Sequence, residues 1–303
     1  MDHPIKRGRV VRWEGVQQLW TRAFQHLRTS PTDQPILITQ PTSMTSSDRE
    51  KTMQMLFEDL EVPAMYLALQ PMLSLFAYGH TTGISVDIGA EVSHCVPIFN
   101  CSPLHYAAMS SDIAGNDLDE AMLVMLQGRF PKEAISVETA RDVKERLCCV
   151  AQSYEEVLWG DGAKEEKLFQ LPSGDVVSIG RERFLCSEVL FSYSDLGKKT
   201  LKLPELVSEA IGRLDIDVRG EMMGSVFLSG GTSLVPGLAE RVKREIQRKR
   251  RWEALRVFAH KERKHSAWIG GAMLASLPFM TNMWVPIDDY NEVGPLLVHR
   301  KCY

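Results

Sequence analysis

An α/β fold is predicted, and three observations carry the prediction. Short apolar runs alternate with segments of helical periodicity along most of the chain. Ser225–Gln247 shows the repeating unit whole: an apolar run Val226-Phe227-Leu228, a break at Gly230-Gly231-Thr232-Ser233, then Leu238, Val242 and Ile246 on one helical stripe. The composition, 44% apolar and 24% charged over 303 residues, is that of a soluble globular chain of one large domain or two ordinary ones.

The elements follow in order. Val16, Leu19, Trp20, Ala23, Phe24 and Leu27 fall at helical spacing and predict an amphipathic helix. ILIT, entered from Pro35, reads as a short strand that Gln40-Pro41 closes. Ser47-Asp48-Arg49-Glu50 has the form of a capping box. Met53, Leu56, Phe57 and Leu60 continue that helix, and Val62-Pro63 ends it. Gly83–Phe99 reads as two strands about a turn at Gly89. Helices are expected over Leu118–Leu126, Val137–Val150 and Leu203–Leu214, and a break at Gly128–Pro131. Trp159–Gly162 reads as a loop. Lys167–Ile179 reads as a hairpin turning at Pro172–Asp175. Pro236 suits a first helical position.

The remaining composition excludes several classes. A net charge of −4 gives no electrostatic reason for nucleic-acid binding. Six scattered cysteines without paired CxxC spacing indicate free thiols in a reducing compartment and no zinc site. MDHPIKRGR lacks an apolar signal region, and Gln70-Pro71 interrupt the most apolar stretch, so no membrane span is expected. Arg248–Arg251 reads either as a solvated helix end or as a polyanion or nuclear-import patch.

A strand, a glycine loop and a helix allow backbone to approach a ligand closely, and a helix start favours anions. An ordinary βα turn has the same pattern. The wider sequence adds to this. Ser225–Gln247 resembles the adenosine-binding strand–loop–helix of the actin superfamily. KERKHSAWIGGAMLAS at Lys261–Ser276, and Gly294-Pro295 with Val298–Tyr303, resemble actin closely. The similarity runs from His3-Pro4-Ile5 to Tyr303 and is to actin-like proteins rather than a conventional actin. An actin N-terminal segment of several dozen residues has no counterpart.

The resemblance implies a two-lobed α/β fold with RNase H-like sheets and helices on both faces. Residues 1–77 with 266–303 correspond to the first lobe, incomplete at its N-terminus. Residues 78–113 with 199–265 correspond to the second, and 114–198 to its outer part. Open strand edges and uncovered apolar surface are then expected on the first lobe. Either the chain is a shortened product or a partner covers that surface.

Actin-like proteins clamp ATP between two hairpins, each with an acidic residue and glycines. The first has no counterpart here. The second corresponds to Asp87-Ile88-Gly89-Ala90-Glu91. Asp87 and Gly89 keep the pattern, Ala90 replaces a second acid, and Glu91 replaces a glycine. A carboxylate about 4 Å from a phosphate costs roughly 4 kcal/mol per charge pair at an effective dielectric near 20. Weak ATP or ADP binding without well-held magnesium is therefore expected, with no metal site. Gln70 aligns with the water-orienting glutamine and His94 with its neighbouring histidine, a degenerate remnant rather than a catalytic set. Gly115 sits in a LAG-like context, Ile113–Asp117, and Lys144, Glu145, Gly230, Gly231, Thr232, Leu234 and Lys264 align with adenosine contacts. Plainer roles stand beside these: Gln70 as a helix cap, His94 as a strand histidine, Lys144 and Glu145 as a solvated helix face.

Phe76, Leu274, Leu277 and Met283 align with the cleft between the lobes that actin-binding proteins fill with an amphipathic helix. Core packing is the alternative for them. Pro278 departs from the family there. The function implied is that of an actin-like cytoskeletal structural or scaffolding protein without ATP hydrolysis. The alternative is an actin-like ATPase of filaments or of a chromatin-remodelling complex. A sugar-kinase reading needs the first hairpin and a catalytic base, and neither is found. The implied partners are proteins of the cleft, actin or other actin-like chains among them. The implied location is cytoplasm and cytoskeleton, with the nucleus as alternative. The close C-terminus favours the cytoskeletal members, such as those of male germ cells, over the remodeller subunits.

Overall fold

A computed structural model of the chain describes residues 3–153, 155, 166–192 and 200–302. It contains two compact units, Met1–Thr81 with Ser266–Tyr303, and Thr82–His265. Strands and helices mix in both, in agreement with the α/β class.

In the first unit the stripe of Val16 to Leu27 forms the helix Trp13–Leu27. Only its start is covered. Val16 is buried, while Leu19 and Leu27 are exposed. Ala64–Leu69 is the central strand of a small sheet. Ile36–Gln40 lies parallel to it on one side, and Val285–Pro286 antiparallel on the other. The capping box stands two residues earlier than Ser47. The Thr45 hydroxyl accepts from the Asp48 N–H at 3.1 Å, and the Thr45 N–H donates to Asp48 Oδ2 at 3.2 Å. Threonine and aspartate satisfy the same two donors as the Ser…Glu form, so the helix starts at Ser46. After Gln54 it widens into a π-helical turn, Met55–Asp59, closed by the Leu60 N–H on the Met55 carbonyl. Glu61 then takes a left-handed φ of 52° before Pro63.

The helices Gln70–Ala77 and Ser266–Ala275 pack directly on each other. A Cβ on Gly270 would stand 1.8 Å from the Leu73 carbonyl oxygen, so only glycine admits this approach. The chain end is tied back to the sheet. The Leu67 N–H donates to Cys302 Sγ at 3.4 Å, and the Arg49 guanidinium donates to the carbonyls of Val298 and Cys302. Tyr290 donates to Glu58 at 2.6 Å and stacks on Phe57.

In the second unit the main sheet runs Val257–Phe258, Val226–Ser229, Gly83–Ile88, Ser93–Phe99, Ser102–Pro103, with Met109–Ser111 also on Ser93–Phe99. Val226–Ser229 is parallel to Gly83–Ile88, which turns back antiparallel into Ser93–Phe99. Both of these strands are buried throughout, including Asp87 within the otherwise small and apolar Gly83–Ile88. The helix expected at Leu118–Leu126 spans Gly115–Arg129 and carries Gly128 inside it. The next, Val137–Leu147, stops three residues short of Val150. There the Cys149 and Val150 N–H groups leave for the carbonyls of Arg183 and Pro236. Gly237, with φ +84°, precedes the helix Leu238–Arg250, so Pro236 stands outside it. The hairpin Lys167–Gln170/Val176–Ile179 turns at Gly174. Trp159–Gly162 lies outside the described residues.

The basic run at Arg248–Arg251 is a paired helix end. Lys249 bonds Glu205 at 3.0 Å and Arg250 bonds Glu209 at 2.7 Å. Deeper in the same helix, Arg241 makes a buried ion pair with Glu188 at 2.8 Å. It also donates to the Ala151 carbonyl and lies over the Phe191 ring. No described helix is long and apolar enough to cross a membrane.

Candidate functional site

Three backbone segments of the second unit converge at the C-terminal end of its parallel strands. These are the turn after Ile88, the start of the helix Gly115–Arg129, and the loop Gly230–Leu234. Ligands of α/β sheets are taken up at this end. The meeting is made by hydrogen bonds. The Gly115 N–H donates to the Gly89 carbonyl at 3.0 Å, and the Asn116 N–H to the Ala90 carbonyl at 2.6 Å. The Thr232 hydroxyl donates to the same Gly89 carbonyl at 2.7 Å.

Glycine is required at two of these places. A Cβ on Gly115 would fall 2.4 Å from Thr232 Oγ1. Gly230 has φ +86°, and a Cβ there would fall 2.4 Å from the Ile88 carbonyl oxygen. Gly231 and Leu234 are exposed at the rim, and the stem of Lys264 lies 3.9 Å from where a Gly231 Cβ would stand. Loop and lysine thus form an open cradle with an apolar edge.

Asp87 stands on the strand directly across from His94 and beside Ser229. It is 8% exposed and accepts from the Ser229 hydroxyl at 2.9 Å. Burial pushes its carboxyl above the ordinary range, and Ser229 opposes this. Burial pushes the His94 imidazole below its ordinary value, towards the neutral form. The folded state therefore binds more protons at Asp87 than the unfolded chain does, and its stability falls as pH rises above the usual aspartate value of about 3.9. Asp87→Asn, which can still accept from Ser229, should be more stable than the parent at neutral pH. The advantage should vanish in acid. Urea melts across pH check this, and a constant difference would refute it.

Lys144 and Glu145 part company. Lys144 is 7% exposed, pairs with Asp119 at 2.5 Å and donates to the Gly115 carbonyl at 3.2 Å. Arg141 bonds the other oxygen of Asp119 at 2.8 Å. Lys144 is thus a buried strut beneath the Gly115 helix start rather than a solvated charge. Glu145 is exposed on the same helix. Asp119 and Ser229 are the site residues missed in the sequence. Ser229 meets Asp87 only through strand pairing, and Asp119 meets Lys144 only through the packing of two helices, although Ser229 directly precedes the glycine pair.

Gln70 belongs to the first unit. It is the first residue of its helix, and the helix start has no side-chain cap, so the capping role fails. Of the cleft residues, Leu274 is buried in the first unit's core at 3% exposure. Phe76 and Met283 are half-buried and Leu277 is exposed. Three of the four retain accessible surface, and Leu274 serves packing.

A comparison with protein families matches the family described as Actin over residues 1–303. The chain belongs to the actin family. Gly230, Gly231, Leu234 and Lys264 come together as an open cradle at the rim. The phosphate end does not fit the family's nucleotide. Its turn carries Glu91, its alanine supplies no carboxylate, and the Gly89 N–H is spent on the Val92 carbonyl at 3.2 Å. Among the described residues no group of three or more His, Cys, Asp or Glu side chains is placed to hold a metal.

Proposed function

We propose that this actin-family chain is a structural or scaffolding protein of the cytoskeleton that binds adenosine weakly and does not turn over ATP. The turn Gly89–Val92 carries the proposal. A phosphate needs backbone donors without a nearby carboxylate, and this turn offers Glu91 and a donor already engaged. A loss of about 3 kcal/mol of transition-state stabilisation slows turnover more than a hundredfold. The partly exposed apolar surface at Phe76, Leu277 and Met283 supports a protein-binding role.

Single-turnover hydrolysis by the purified chain, beside the Ala90→Asp, Glu91→Gly double variant, tests the reading. The unmodified chain should hydrolyse at background rate and bind ATP no more than about tenfold better than adenosine, or roughly 1.4 kcal/mol by calorimetry. Robust turnover by the unmodified chain would overturn the proposal.

A further inference from the structure

Cysteines that take no part in the candidate site gather in the second unit. The helix Val137–Leu147 ends on Cys148, whose backbone is extended with φ −66° and ψ 147°. Extended backbone sends successive side chains to opposite sides. Cys148 therefore turns into the core at 5% exposure, while Cys149 stays half-buried with its Sγ on the Arg183 guanidinium at 3.9 Å. The Cys149 N–H also donates to the Arg183 carbonyl at 3.2 Å, which draws the chain against the helix Glu182–Glu188. One turn on in that helix stands Cys186, fully buried, and its thiol hydrogen-bonds that of Cys148. The Cys186 thiol also donates to the Leu118 carbonyl at 3.2 Å. The dithiol thereby adjoins both members of the Asp119–Lys144 ion pair: Leu118 precedes Asp119, and the Cys148 N–H donates to the Lys144 carbonyl at 3.1 Å.

We propose that Cys148 and Cys186 are a reversible dithiol–disulfide pair that fastens the end of the helix Val137–Leu147 to the helix Glu182–Glu188. A disulfide needs sulfurs about 2 Å apart and Cβ atoms about 3.5–4.5 Å apart, and thiols already in hydrogen-bond contact need only small side-chain rotations to reach this. The oxidant is a small-molecule disulfide such as glutathione disulfide. Cys148, the more accessible of the two, loses its proton and attacks one glutathione sulfur, releasing one glutathione thiolate. Cys186 then loses its proton and attacks the Cys148 sulfur of the mixed disulfide, releasing the second. The two protein thiols give up two electrons and two protons, which leave as two glutathione thiols. The bond to Cys186 and burial both push the Cys148 thiol up, so the resting pair is protected and exchange waits on local opening of the helix end. Cys149 faces the other way and stays outside the bond. Closing the loop from 148 to 186 constrains the unfolded chain and so favours the folded one.

Equilibration of the folded chain in mixtures of glutathione and glutathione disulfide, quenched by alkylation, tests this. Trypsin then releases peptides starting at Leu147 and Phe184, after Arg146 and Arg183. They should appear cross-linked, the bridge should survive Cys149→Ser, and dithiothreitol should reopen it. Cys148→Ala and Cys186→Ser should each abolish it. Serine at 186 still donates to the Leu118 carbonyl, and a melting temperature near the parent's would show that the fold is kept. The oxidised chain should unfold at a higher urea concentration than the reduced one. The proposal is overturned if the two peptides stay separate in every mixture or join only in urea. It is overturned equally if the bridge needs Cys149, or if oxidation lowers the urea midpoint.

Discussion

Gly270→Ala should destabilise the first unit by at least about 3 kcal/mol. The added methyl would stand 1.8 Å from the Leu73 carbonyl oxygen. That oxygen belongs to a helix backbone and cannot swing aside as a side-chain tip would. The helices Gln70–Ala77 and Ser266–Ala275 must separate, and the buried Ser266–Ser74 bond of 3.1 Å lies between them. Gly271→Ala is the control. Its methyl would meet only the Leu37 and Leu73 side chains, at 3.4 and 3.5 Å. Alanine also favours a helix over glycine by about 1 kcal/mol, so this variant should be neutral or slightly stabilised. Urea unfolding with hydrogen exchange on residues 70–77 reads both. Similar behaviour of the two variants would refute the close-approach argument.

Arg241→Ala should cost the second unit about 3–5 kcal/mol. The side chains of Arg241 and Glu188 are 4% and 6% exposed, so removing the guanidinium leaves a carboxylate inside the protein. Burial already pushes Glu188 above the ordinary carboxylate range, with Arg241 opposing. The variant also strips the Ala151 carbonyl of its donor. Joint replacement, Arg241→Met with Glu188→Leu, should recover most of the loss, because no charge is then stranded. Thermal melts of the three proteins decide the matter. If the joint variant is as weak as Arg241→Ala, the cause is lost packing against Phe191, not the unpaired charge.

Periodicity made the helices Trp13–Leu27 and Leu238–Arg250 legible, since their stripes are long. The strands Gly83–Ile88 and Ser93–Phe99 showed through their apolar runs about Gly89. Local substitutions hid other details. Thr45 and Asp48 cap as well as serine and glutamate do, so the box stands two residues before the Ser47–Glu50 pattern. The π-turn at Met55–Asp59 leaves no mark in a pattern of apolar residues. Contacts between distant segments were the least legible. Lys144 reads as an exposed helix charge until Asp119, on another helix, captures it. The close approach of Gly270 is not legible locally either, because Leu73, its partner, lies far away in sequence.

The first unit is assembled from two stretches that the second unit separates in the chain. During synthesis residues 3–81 emerge first and must wait for the whole of 82–265 before Ser266–Ala275 and Val285–Pro286 arrive. At roughly 5–20 residues per second that delay is on the order of ten seconds or more. Throughout it, Gln70–Ala77 has no helix to pack on and Ala64–Leu69 lacks one of its two strand neighbours. The second unit has no such delay, because all its strands lie in one continuous stretch. The nascent first unit is therefore the part of this protein most in need of a chaperone's protection before release from the ribosome.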